Sequence, residues 1–219
     1  MSDTDDTEGY SSINKSICSD KKITFEKNME KNELIKIDIL EIISDIFNNI
    51  CEENKDKKNN ENPLIKPFIN KTIPSITIKD YLFRLIKYSQ INTSTIIMIL
   101  IYIDKICNSN HFLLTYYNIH KLILASLVMA IKYNEDQYYS MEFYSKLGGV
   151  TVEKLKIMES TFLLLIQYNL FIKDIVYEQY YNNLMNLKSS DLSFEEEGEI
   201  EDVLYKENDK RIDEKIKNL

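Results

Sequence analysis

The chain has 219 residues, with 27 Lys and Arg against 35 Asp and Glu, for a net charge of −8. That length suits one domain with a proper core plus tails. The acidic balance argues against nucleic acid as the main partner, because phosphate-binding surfaces need clustered Lys and Arg. Cys18, Cys51 and Cys107 are odd in number and far apart, which argues against a disulfide framework and points to a reducing, intracellular compartment.

Residues 1–31 are polar and mixed in charge, lack the apolar core of a signal peptide, and are expected to be disordered. Helical spacing begins at Glu33 and runs to Ile50, with Leu34, Ile37, Leu40, Ile43 (or Ile42), Phe47 and Ile50 on one face. A loop, 51–73, follows, solvated from Cys51 to Asn62, and Pro63, Pro67 and Pro74 after that predict an extended lead-in. Thr77 and Asp80 have capping-box spacing, opening a helix with the stripe Ile78, Tyr81, Leu82, Leu85 and Ile86. Asn92-Thr93 starts the next helix, whose run Ile96 to Ile103 reads as buried and whose end falls near Asn108.

The stretch Thr115 to Asp136 is central. From Leu122 to Ile131 it is apolar almost without a break, with Lys121 before it and Lys132, Glu135 and Asp136 after it. A helix apolar all round is buried by other helices or by a membrane. Ten residues rise only ~15 Å, about half of a hydrocarbon core, so other helices are the better cover. Ser140 then caps a short helix ended by Gly148-Gly149, and Thr151 caps another with Val152, Leu155, Ile157 (or Met158), Phe162, Leu163 and Ile166 at helical spacing. Asp174 starts a last helix, 174–187, and the acidic stretch 188–219, with EEEGEIED at 195–202, reads as a mobile tail. No strand period extends over a useful length. The fold class is all-α: one domain, 32–187, with a five-helix core at 74–166 and one helix before and one after.

In register with these helices stand several ordered motifs. Leu100-Ile101-Tyr102-Ile103-Asp104-Lys105 resembles the L-x-Y-I-D-R segment of a cyclin box, a five-helix unit. Ala125-Ser126 through Ala130-Ile131-Lys132-Tyr133-Asn134-Glu135-Asp136 resembles the third-helix ending A-S-K-F-E-E, and LKIMESTF from Leu155 resembles the fifth-helix segment L-x-x-L-E-x-x-F. IPSITIKDYLFRLIKYS, NIHKLILAS and NEDQYYSMEFYSKLGGVTVEKL look most like the P-type, phosphate-response branch. The resemblance spans roughly Phe68 to Tyr181.

The resemblance implies a regulatory subunit that binds and activates a cyclin-dependent protein kinase as a heterodimer, in the cytoplasm or nucleus, with no catalytic activity, cofactor, metal, nucleic acid or membrane. By residue chemistry alone, Lys132 meets the helix dipole and Glu159 is a surface carboxylate. By resemblance the two are paired and grip the kinase near its mobile regulatory helix. Glu135 and Asp136 read either as a solvated loop or as kinase contacts, with Asp136 supplying negative charge to arginines around the activation segment as a phosphate does.

Asp104 lacks the arginine it pairs with in cell-cycle cyclins, since Ser75 stands in that place; Arg84 is a substitute whose direction the sequence leaves open. Tyr81 falls where those cyclins carry a docking-patch tryptophan, so substrate recruitment in their manner is not expected. His120 reads as structural, and Gly148-Gly149, after a helix rather than a strand, as a helix stop rather than a phosphate cradle. A cyclin-fold adaptor that does not activate a kinase is the alternative. A helical enzyme is a third reading, opposed by histidines far from any nucleophile pattern.

Overall fold

A computed structural model of the chain describes residues 32–57 and 62–191. The expected disorder at 1–31 and most of the acidic tail, 192–219, lie outside the described residues. Among those described there are seven α-helices, one 3-10 turn and no strand. The helices are α1 (32–53), α2 (Ile78–Ser89), α3 (Thr93–Asn110), α4 (Ile119–Asn134), α5 (Met141–Gly148), α6 (Val152–Leu165) and α7 (Asp174–Asp191).

The helix starts follow their caps. Thr77 accepts from the Asp80 amide and donates its hydroxyl to the Asp80 carboxylate, a reciprocal arrangement that satisfies the end of α2. Ser140 and Thr151 each accept from the third amide of α5 and α6. Helix ends use the left-handed conformation at Gln90, His111 and Gly149.

α4 is the centre, buried from Ile119 to Ile131 with Lys121 as the one partly exposed position. It is covered by α2, α3, α5, α6 and the 3-10 turn. Its apolar girdle therefore meets helices, and no described helix is long and apolar enough to cross a membrane. The α2 stripe is buried as its spacing predicts, and so is the whole run from Ile96 to Ile103 in α3.

Local expectations shift in α1, in the proline stretch and in the final helix, and the open choice in α6 is settled. In α1 the expected Leu40, Ile43 and Phe47 are buried, joined by Ile39, Ile42 and Cys51, while Leu34 and Ile37 are exposed. Both members of the doublets 39–40 and 42–43 are buried, which widens the apolar face, and the helix runs three residues past Ile50. The proline stretch is not simply extended. Pro63 occupies the first turn of a 3-10 helix, Pro63–Phe68, with the Asn62 side chain accepting from the Leu64 amide. It buries Ile65 and Phe68. In α6, Met158 rather than Ile157 faces the core. The final helix continues four residues beyond 187, and Lys188 there pairs with Asp38 of α1.

Gly148 is a close-approach glycine: an added Cβ would lie 2.2 Å from Leu124 Cδ2 of the central helix. Gly148→Ala is therefore expected to cost about 1 kcal/mol, the low end for overpacking because the Leu124 methyls can rotate away. A urea midpoint unchanged from the wild type would show that α5 has slack against α4.

Cys51 and Cys107 are reduced thiols. Burial pushes Cys51 up to about 12 and Cys107 higher still, which keeps both protonated and unreactive in the folded chain.

Candidate functional site

Lys132 sits in the last turn of α4, where the apolar girdle ends and the carbonyl end of the helix favours a cation. α6 lies against α4 and brings Glu159 to it. The Lys132 amine donates to Glu159 Oε1 at 2.5 Å, with the two side chains 27% and 21% exposed. The two residues that sequence reading singles out for one site, 27 positions apart, therefore meet across two helices.

Exposed apolar side chains occur on the same two helices. Tyr133 follows Lys132 and is half exposed, as is Leu164 on α6. Beyond α6 the chain turns through Gln167 and Tyr168, both left-handed at φ 55° without being glycine. Tyr102 donates its hydroxyl to the Leu170 carbonyl at 2.8 Å and Lys105 its amine to the Asn169 carbonyl at 2.8 Å, tying this turn to α3. The turn displays Tyr168 and Phe171, 68% and 63% exposed. Sequence reading passes over these aromatics, because their exposure is set by the two side chains from α3 and by no periodicity of their own.

Glu135 and Asp136 part company. Glu135 turns inward and accepts from the Asn92 amide at 3.1 Å, the Asn92 side chain at 3.0 Å and the Thr95 hydroxyl at 2.5 Å. Asn92 makes no side-chain cap of its own, so a carboxylate 43 residues away does that work, at the helix end that favours negative charge. Asn134 adds bonds to Ser94 and Thr95. Asp136 is exposed.

Asp104 is not held by an arginine. Tyr180 of α7 donates to its Oδ2 at 2.6 Å and Asn108 at 3.0 Å, while burial pushes the carboxyl above its ordinary range. Arg84, offered as the substitute partner, lies instead over the Tyr81 ring, 5.1 Å from its centroid. Tyr81 is buried, donating its hydroxyl to the Gly148 carbonyl at 3.1 Å with its ring edge-on to His120. It is a packing residue, closed to any docking partner. His120 shares a hydrogen bond with the Ile76 carbonyl, and burial lowers its pKa. No group of three or more His, Cys, Asp or Glu among the described residues could hold a metal.

The direction for Asp104 has a consequence for pH. Its folded pKa lies above the unfolded value of about 3.9, so the folded state holds the proton more tightly. That stabilisation is present below the unfolded pKa and is lost as pH rises through the folded one. Asp104→Asn has no such proton, so relative to wild type the variant should gain stability as pH rises through the acid range. Urea unfolding at a series of pH values checks this, and a difference independent of pH would contradict it.

With this geometry in place, comparison with known proteins is informative. The family model described as Cyclin matches residues 30–170. Among curated proteins, Cyclin-U2-1 of Arabidopsis thaliana is 34% identical over 109 residues, 49% of this chain and 49% of the relative. The PHO85 cyclin-like protein psl1 of Schizosaccharomyces pombe is 32% identical over 136 residues, 58% and 56% of the two chains. Cyclin-P3-1 of Oryza sativa is 29% identical over 97 residues, 44% and 41%. The matched stretch thus spans about half the length of these relatives.

Proposed function

The chain belongs to the cyclin family, and from that premise we propose that it is a P-type cyclin, the regulatory subunit that binds and activates a cyclin-dependent serine/threonine kinase. The observation that carries the reading is the Lys132–Glu159 contact, partly exposed where the end of α4 meets α6. A cation and an acid on adjacent helices, with Tyr133 and Leu164 exposed on those helices and Tyr168 and Phe171 on the turn that follows α6, supply the kinds of side chain an interface uses: aromatic anchors and a small polar centre.

The mechanism is steric and electrostatic. Lys132 and Glu159 hold the kinase's regulatory helix inward, so that its glutamate pairs with the lysine that positions the ATP phosphates. Activation then follows from preferential binding of the active arrangement. Moving a 1:99 equilibrium to 99:1 takes about 5.5 kcal/mol of preference, within reach of an interface of ordinary size. Asp136 supplies charge to the arginines of the activation segment, and Glu135 holds its loop in place.

Isolation of the protein from its own cells tests the reading: a stoichiometric kinase that is active with the chain and inactive without it is expected. A stoichiometric partner that is not a kinase would identify an adaptor, and turnover by the chain alone an enzyme. Within the complex, Asp136→Asn should lower activity measured with unphosphorylated kinase while complex formation stays close to wild type. Equal activity of the two complexes would remove Asp136 from the mechanism.

A further inference from the structure

A second concave surface lies at the other end of α4. Lys121, in the first turn of α4, is eleven residues from Lys132, or ~16 Å along the helix, so the two ends present separate sites. A groove of about 570 Å³ is formed there between the 3-10 turn with the segment after it, the start of α4 and the start of α6. Lys66, Lys71, Lys121 and Lys154 line it, and among the described residues no carboxylate does. In a chain of net charge −8 that is a local reversal of sign.

None of these four lysines takes part in an ion pair with a described carboxylate. Lys121 donates to the Ile69 carbonyl at 2.8 Å, and burial together with the charge of Lys154 lowers its pKa. Lys121 and Lys154 thus stand close enough to repel, with neither paired to a described carboxylate, and an anion between them would relieve that repulsion. Exposed Ile69 and Ile157 also line the groove, so the charges stand beside apolar surface.

From this arrangement we infer that the groove is a docking site for a partner polypeptide segment in which carboxylates are interspersed with apolar residues. Four separate point charges spread along a groove fit a run of carboxylates. A single phosphate would be better met by the forked donors of arginine, and no arginine among the described residues lines the groove. The apolar members take the side chains between the acids. Docking here is a property of this chain alone, so its test is read without a kinase and stands or falls separately from the kinase reading.

The test is fluorescence anisotropy with the full chain and short fluorescein-labelled peptides. The first alternates glutamate with leucine and valine; a second carries glutamine for glutamate; a third carries phosphoserine at one glutamate position. The acidic peptide is expected to bind at least about tenfold more tightly than its glutamine counterpart, and to weaken as salt is raised. Lys71→Glu with Lys154→Glu should weaken it at least about tenfold by removing two charge-assisted contacts. The milder Lys71→Gln with Lys154→Gln, with helicity checked by circular dichroism, should weaken it in the same direction. Equal affinity for the acidic and glutamine peptides, or no effect of either lysine pair, would overturn the proposal. A phosphoserine peptide binding more than about tenfold tighter would make the ligand a phosphate and overturn it as well. So would binding that appears only after residues 192–219 are removed, since the groove's occupant would then be this chain's own acidic end.

Discussion

Lys132→Ala and Glu159→Ala are each expected to weaken kinase binding at least about tenfold, because truncating either residue at the centre of an interface leaves desolvated partners unpaired, at ~2 kcal/mol or more. The two side chains touch, so their effects should not be independent. With Glu159 gone, Lys132 keeps its charge but loses the contact that fixes its tip. The double variant should therefore lose clearly less than the sum of the two single losses. Folding gives the control. An ion pair on this partly exposed surface contributes on the order of 1 kcal/mol or less to stability, so the isolated variants should unfold close to the wild type. Unchanged kinase affinity in all three variants would remove the pair from the interface.

Glu135→Ala is expected to do the reverse, destabilising the isolated chain by about 2 kcal/mol, since hydrogen bonds to a charged acceptor are the strong ones. Its carboxylate serves the Asn92 amide, the Asn92 side chain and the Thr95 hydroxyl at once, and no other acid lies in the first turn of α3. Without it the N-terminus of a largely buried helix loses both its counter-charge and an acceptor. Glu135→Gln, which keeps the acceptor oxygen and loses the charge, should recover part of the loss. The neighbouring Asp136→Asn should leave the unfolding midpoint where it is. Denaturant unfolding of the three variants separates the two acids, and equal midpoints for Glu135→Ala and the wild type would show that water replaces the carboxylate without cost.

That contrast marks how far a sequence can be read. Where a helix announces itself locally, as α2 does through Thr77, Asp80 and a five-residue stripe, start and buried face are both legible. Lys132 and Glu159 were findable as a pair because their family motif carries their relation across 27 positions; their spacing alone says nothing of contact. Glu135 was not findable as a cap, because its partners begin 43 residues earlier and the acid looks like any loop carboxylate. The same limit applies to Arg84 and Asp104. Which way a long cation points depends on a ring such as Tyr81 three residues before it, and on a tyrosine from α7 that reaches the aspartate first. In α1 Leu40, Ile43 and Phe47 were legible as buried, but the exposure of Leu34 and Ile37 depends on where the helix leaves the core, which spacing does not record.

The turn after α6 bears on how a partner would be met. Two non-glycine residues there sit in a left-handed conformation that costs roughly 1–2 kcal/mol each, and two side chains of α3 hold the following carbonyls in place. Tyr168 and Phe171 are therefore displayed on backbone whose freedom is already lost when the chain folds. A binding partner does not have to order that segment again, a step that otherwise subtracts from affinity for every immobilised loop. The entropy of association is in this way partly transferred to folding, and mutations at Tyr102 or Lys105 that remove these two bonds would return it to the binding step.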